Sequence, residues 1–174
     1  MLPRVIVDLK KVEENTSIVA KACKESQVDI MGVTKVFCAV PEIAAAEVRG
    51  GVKYLADSRI ENLERLKKFD VEKVLLRLPM ISQADRVVEF ADISLNSEIE
   101  TIKALNIAAL SKKVHHKIIL MIDLGDLREG ILPHQVDETV TEILKLSNIT
   151  LHGIGVNLTC YGGVIPSETN LGQL

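Results

Sequence analysis

The sequence is short of several residue types at once, and each shortage removes a class of protein. It has no tryptophan, and aromatic residues make up 3% of the chain. Its three cysteines, Cys23, Cys38 and Cys160, are far apart and odd in number, with no CxxC spacing. They offer neither a disulfide framework nor a zinc site, and read as reduced thiols. There is no excess of positive charge: 21 Lys+Arg stand against 24 Asp+Glu, a formal net charge of −3. Without a basic field, and without basic residues interleaved with aromatics, no nucleic-acid partner is expected. No run approaches the ~20 apolar residues that cross a bilayer, so no membrane partner is expected either. The opening MLPRVIVDLKK returns to charge at Asp8 before a signal-peptide core can form, which predicts a cytoplasmic protein. No G-x-G-x-x-G and no G-x-x-x-x-G-K-[ST] follows any apolar run, so the usual nucleotide-binding loops are missing. Histidines are few. His115 and His116 are adjacent at a strand start, where their side chains point to opposite faces, and no metal site is assigned.

What is present is enough apolar residue to build a core, 47% of 174 residues. Short apolar runs recur at Val5–Val7, Ile30–Val33, Tyr54–Ala56, Val74–Leu76, Ile93–Leu95, Ile118–Ile122 and Leu151–Val156. Most lack the alternation of a sheet with one wet face, and Ile118-Ile119-Leu120-Met121-Ile122 suits a strand covered on both sides. Between the runs lie helix-start signals. Ser58 with Glu61, and Ser97 with Glu100, fit the S-x-x-E capping box. Pro41 and Pro133 suit a first helical position. Leu63 and Leu66 share one helix face, as do Val136, Val140, Ile143 and Leu144. The segment with Val12, Val19, Ala22 and Cys23 is a weaker helix by the same test. The alternation of strand and helix, beginning with a strand at Val5, predicts an α/β protein with a parallel sheet. Two architectures compete, an open doubly wound sheet and a (β/α)8 barrel.

In both, chemistry gathers at the carboxyl ends of the strands. Three strand ends carry polar groups that packing does not require. In Gly32 to Val40, Lys35 stands among mostly apolar residues; burial there would lower its pKa and make it a Schiff-base nucleophile, against the plainer reading of a lysine snorkelling to water. In Ile122 to Gly130, Gly125 and Gly130 permit unusual backbone, and Arg128 offers a donor fork for an anionic oxygen. The plainer reading pairs Arg128 with Asp126 or Glu129. In Gly153 to Gly163, Asn157, Thr159, Cys160 and Tyr161 follow a strand directly.

Taken together these strand ends resemble the pyridoxal 5′-phosphate (PLP) barrel, fold type III, of the alanine racemase superfamily. Ile6-Val7-Asp8-Leu9 with Asn15 looks like that family's first strand and helix. Val33-Thr34-Lys35 occupies the place of its cofactor lysine, and Tyr54-Leu55-Ala56-Asp57-Ser58 with Glu61 is similar to its next unit. Ile122-Asp123 with Gly125 and Arg128 matches its I-D-x-G-x-x-R segment. Gly32 to Ala39 and Asn157 to Gly163, with Pro166 and Asn170, look most like the branch containing ornithine racemase. Two positions depart from alanine racemases: Met121 stands where a modified lysine positions the arginine, and Asn157 where a histidine lies over the pyridine ring.

The resemblance implies a (β/α)8 barrel with an internal aldimine between Lys35 and PLP, Arg128 and Asn157 at the cofactor, and Thr159, Cys160 and Tyr161 in the pocket. It implies an amino-acid racemase, an isomerase acting on ornithine or a similar amino acid, and a homodimer whose partner supplies a tyrosine from a β-rich domain. A PLP-binding homeostasis protein without turnover, or a decarboxylase or lyase on the same barrel, are the alternatives. Setting aside the opening strand, six of eight barrel strands are counted. Residues 1–174 are therefore expected to be an incomplete N-terminal barrel domain, with the C-terminal β-domain absent and little activity alone.

Overall fold

The computed structural model describes residues 3–159 and 163–174. Six strands follow the chain order β1-β2-β3-β4-β5-β6 in one sheet: β1 Met31–Val33, β2 Tyr54–Asp57, β3 Glu72–Leu75, β4 Ile93–Asn96, β5 His116–Ile122 and β6 Ile149–Val156. The order never reverses, as it must at the switch point of a doubly wound sheet, so the barrel progression is the one adopted. The described residues thus contain six of the eight strands that a closed (β/α)8 barrel requires. The chain divides into two compact units, Met1–Val74 and Leu75–Leu174, which are taken in turn.

The first unit opens with a correction. Val5–Val7, expected as a strand, forms no strand among the described residues, and Val5 and Ile6 are each 91% exposed. A strand without a neighbour leaves its backbone groups to water and gains no packing. The segment expected to be a weak helix is instead the 17-residue α1 (Leu9–Glu25). Its start is fixed by Asp8, whose carboxylate accepts from Lys10 N–H at 3.1 Å and Lys11 N–H at 3.2 Å. Burial contributes less, because no α1 residue is fully buried. α2 (Pro41–Arg49) begins at Pro41 as expected, and Arg49 Nε reaches Glu13 Oε2 of α1 at 2.7 Å. β1 and β2 pair in parallel, Val33 opposite Ala56. Leu55 of β2 packs with Ala39, Ala44 of α2 and Leu66 in a core where all four are completely buried.

α3 (Ile60–Arg65) corrects the first capping box. The helix starts one residue late, with Arg59 at the N-cap and no side-chain cap. Asp57 takes over: its Oδ1 accepts from Arg59 N–H at 2.9 Å and from Asn62 Nδ2 at 3.0 Å.

In the second unit, β4, β5 and β6 are parallel, with Asn96 opposite Leu120 and Ile122 opposite Val156. β5 carries buried residues on both faces, as its unbroken apolar run predicted, whereas β6 alternates and leaves Ile154 exposed. α4 (Ala84–Phe90) and α5 (Ile99–Lys112) pack together, and α5 lies against β5 and β6. The second capping box also fails. Glu98 is the N-cap of α5 without a side-chain bond, and Ser97 Oγ is buried with no hydrogen-bond partner. α6 (Val136–Ile143) buries Ile143 but ends before Leu144, which is 72% exposed and not on the buried face as expected. A short α7 (Glu168–Leu171) is capped by Ser167.

A buried polar chain crosses from β4 to β5. Asn96 Nδ2 donates to Ser94 Oγ at 2.8 Å, and Ser94 Oγ lies 2.9 Å from His116 Nε2. The other ring nitrogen is left for the Ala91 carbonyl. Donors thus run in one direction, from Asn96 to Ser94 to the neutral imidazole to Ala91. Burial, working against the nearby Asp92 charge and the Ala91 carbonyl, pushes His116 down to about 4.

Candidate active site

The sequence-predicted residues fall at three strand ends, one in the first unit and two in the second. Lys35 lies in a single 3₁₀ turn, Thr34–Phe37, directly after β1. Its placement rests on its neighbours. Thr34 is fully buried, and its Oγ1 donates to Asp57 Oδ2 at 2.6 Å, tying the end of β1 to the end of β2. Phe37 and Ala39 anchor the far side of the turn in the core. Cys38 and Ala39 then take φ of +52° and +53°, a conformation that costs non-glycine residues energy. Arg65 Nη1 donates to the Cys38 carbonyl at 3.1 Å and helps to hold it.

The burial expected for Lys35 is not found. Lys35 is exposed, and so is Val36 beside it. Apolar neighbours in sequence do not cover an amine when the turn sends Val36 outward beside it and packs Phe37 and Ala39 into the core. What the turn provides is placement: an accessible amine on a backbone fixed by a buried Thr34–Asp57 pair.

The loop after β5 is a closed excursion. Asp123 N–H donates to the Ile131 carbonyl at 2.8 Å and Ile131 N–H to the Met121 carbonyl at 2.9 Å, so the chain leaves and rejoins at one point. Gly130 sits at that neck with φ +122°, where a Cβ would lie 2.4 Å from Asp123 N. No other residue fits there. Gly125, with φ +117°, turns the loop. Asp123 Oδ1 accepts from Gly125 N–H at 2.8 Å and Leu127 N–H at 3.1 Å.

On this loop Arg128 is 54% exposed and held in a fork by Glu129: Nη2 to Oε1 is 2.9 Å and Nε to Oε2 is 3.1 Å. Asp126 lies further off, Oδ2 being 4.0 Å from Arg128 Nε. The plainer reading, an arginine paired with its neighbours, thus describes its contacts. The Arg128 guanidinium holds the Glu129 carboxyl below the usual carboxylate range; partial burial opposes this and the Asn157 amide assists it.

The structure brings the second and third strand ends together. Asn157 Nδ2 donates to Glu129 Oε1 at 2.8 Å, and Thr159 Oγ1 donates to Asp126 Oδ1. Asn157 Oδ1 in turn accepts from Thr159 N–H at 2.9 Å. Cys160 and Tyr161, the other pocket candidates, lie outside the described residues. Among the described residues, no group of three or more His, Cys, Asp and Glu is arranged to hold a metal ion, and no helix is long and apolar enough to cross a membrane.

Sequence reasoning gave Thr34 and Asp57 no role beside Lys35 and missed Asn62, while Asp126 and Glu129 were the partners it offered for Arg128 in the plainer reading. Asp57 carried a usable signal, a carboxylate ending an otherwise apolar strand. The bond between Glu129 and Asn157 carried none.

These features can be set beside known proteins. The family model described as "Alanine racemase, N-terminal domain" matches residues 7–174. An ornithine racemase from Acetoanaerobium sticklandii is 45% identical over the whole chain and 50% of its own length. A lysine racemase from Thermotoga maritima is 38% identical over 95% of the chain and 47% of its own length. The chain therefore spans about half the length of these relatives. Among solved structures, an alanine racemase from Streptomyces coelicolor superposes with a TM-score of 0.80 at 17% identity, covering 96% of this chain and 47% of that one. At that identity the likeness concerns the fold.

Proposed function

The chain belongs to the alanine racemase N-terminal domain family, and from that premise we propose that the full-length protein is a PLP-dependent amino-acid racemase acting on a basic amino acid such as ornithine. The observation that carries the reading is Lys35, an accessible amine at the end of β1 on a turn fixed by the buried Thr34–Asp57 pair. Support for the basic substrate comes from the two relatives above, named as ornithine and lysine racemases.

The residues present fit the cofactor. An aldehyde requires an amine, which Lys35 supplies, and a phenolic oxygen requires a fixed cation, which Arg128 supplies with half its surface open. When bound, PLP supplies an electron sink for the pair left on the substrate α-carbon. Lys35 would hold the cofactor, and its amine would move the substrate α-proton on one face. Arg128 and Asn157 are proposed, from the family resemblance, as further cofactor residues. Thr159, Cys160 and Tyr161 are proposed as pocket residues. The proton on the opposite face needs a second group, which this reading places in a C-terminal domain of the partner subunit in a homodimer.

The test is α-proton exchange in deuterated water with the full-length protein and PLP, offering ornithine, lysine and alanine. Exchange with inversion of a basic amino acid is expected. Binding of PLP without exchange of any of the three would contradict a racemase and favour a carrier, while loss of the carboxylate from ornithine would favour a decarboxylase.

A further inference from the structure

Arg128 is useful to an anionic partner only if its guanidinium stays in one place, and an arginine on an exposed loop ordinarily does not. Here the loop is fixed at four points. Its neck is closed by the Asp123 and Ile131 backbone pairs, its turn is held by Asp123 Oδ1, and two side-chain bonds reach it from the segment after β6. One of these, Asn157 Nδ2 to Glu129 Oε1 at 2.8 Å, ends on the carboxylate that grips Arg128. Glu129 is only 16% exposed, so its carboxylate has few other orientations open to it. Met121, one strand layer below, is buried and has no charge with which to hold an arginine.

We propose that Glu129 is a positioning residue for Arg128: it grips the guanidinium edge through both oxygens and is itself held by Asn157. This rests on the functional reading above. Asn157 then acts through Glu129, since its Nδ2 is bonded to Glu129 and its Oδ1 to Thr159 N–H. The Asp126–Thr159 bond is a separate tie that holds the loop without touching the grip.

The geometry also accounts for the charge. Two carboxylates beside one guanidinium would weaken it as a donor to an anion if both bonded it directly. Of the two, Glu129 bonds it within hydrogen-bond distance, while Asp126 Oδ2 stays 4.0 Å from Arg128 Nε.

The test uses the full-length protein and two readouts. In cofactor-free protein, the rate at which phenylglyoxal labels Arg128 is followed by mass spectrometry. In PLP-loaded protein, the visible absorption spectrum and the separate kcat and KM values are measured. Glu129→Gln keeps the size but loses the charge, and should speed labelling about tenfold, the order expected for losing a charge-assisted bidentate pair. It should also shift the absorption band and lower kcat more than it raises KM. Glu129→Asp should recover part of each effect, and Asn157→Ala should reproduce the labelling increase at smaller size. If Glu129→Gln does not fold, as judged by thermal melting, Asn157→Ala carries the same test.

Unchanged labelling in Glu129→Gln and Asn157→Ala would overturn the proposal, as would faster labelling with an unchanged spectrum and unchanged kinetics. Failure of the functional reading shows differently: the wild-type protein itself would then neither take up PLP nor turn over an amino acid, whatever the Arg128 labelling rates.

Discussion

Protonation of His116 is expected to cost the folded state about 3 kcal/mol, the free-energy equivalent of moving an imidazole from its ordinary 6.5 to about 4. The cause is visible in the hydrogen bonds. The neutral ring accepts from Ser94 Oγ, which accepts from Asn96 Nδ2. A protonated ring would need to donate at Nε2, which turns the Ser94 hydroxyl around and leaves its hydrogen without an acceptor in a fully buried site. The sign follows from the depressed value. Between about 4 and 6.5 the unfolded chain binds more protons than the folded one, so stability is full above 6.5 and falls as the pH drops towards 4. At pH 5 about 2 kcal/mol of it should already be lost. Urea unfolding at pH 7 and pH 5 checks this on wild type and His116→Gln, because the acidic groups common to both cancel in the difference. The stability gap between the two proteins should narrow by about 2 kcal/mol on going to pH 5. A gap that stays constant, or a His116 ring that titrates by NMR near 6.5, would refute the reasoning.

Three further substitutions probe the fold around the site. Gly130→Ala forces a Cβ to within 2.4 Å of Asp123 N at a φ of +122°, and should cost roughly 3 kcal/mol or more, a fall of about 10 °C in melting temperature. Asp8→Ala removes the cap of α1 and should cost about 1 kcal/mol, read as faster amide exchange confined to the first turn at Lys10 and Lys11. Glu47, whose Oε2 is buried without a hydrogen-bond partner against Gly32, has its carboxyl raised above the usual range by burial. Its ionised form therefore weakens the fold, so Glu47→Gln should raise the melting temperature at pH 7, with the gain vanishing below pH 4.5, where the glutamate is already neutral.

The strands were legible because a buried parallel strand needs an unbroken apolar run, and six of the seven runs became strands. The seventh, Val5–Val7, has the same composition but no strand neighbour among the described residues, and composition alone does not provide one. Helix starts were legible at Pro41, which opens α2, and less so elsewhere: Pro133 opens a 3₁₀ turn ahead of α6, and Ser58 and Ser97 are residue types that cap helices, yet each helix begins one position later. At α3 a strand-end carboxylate, Asp57, already supplies the acceptor. Lys35 and Arg128 stood out by type and position, but their surroundings did not. The Lys35 turn sends Val36 outward while packing Phe37 and Ala39 into the core, and the grip on Arg128 depends on Glu129 meeting Asn157, 28 residues away. Pairing at that separation is decided by the register of β5 on β6, which no local pattern records.

The claim on which the account depends is that Lys35 carries the cofactor, and borohydride trapping tests it most directly. Full-length protein loaded with PLP, reduced and digested, should show the pyridoxyl mass on the peptide containing Lys35, and Lys35→Ala should show none. A label on another lysine, or an unlabelled and colourless wild-type protein after soaking in PLP, would contradict it.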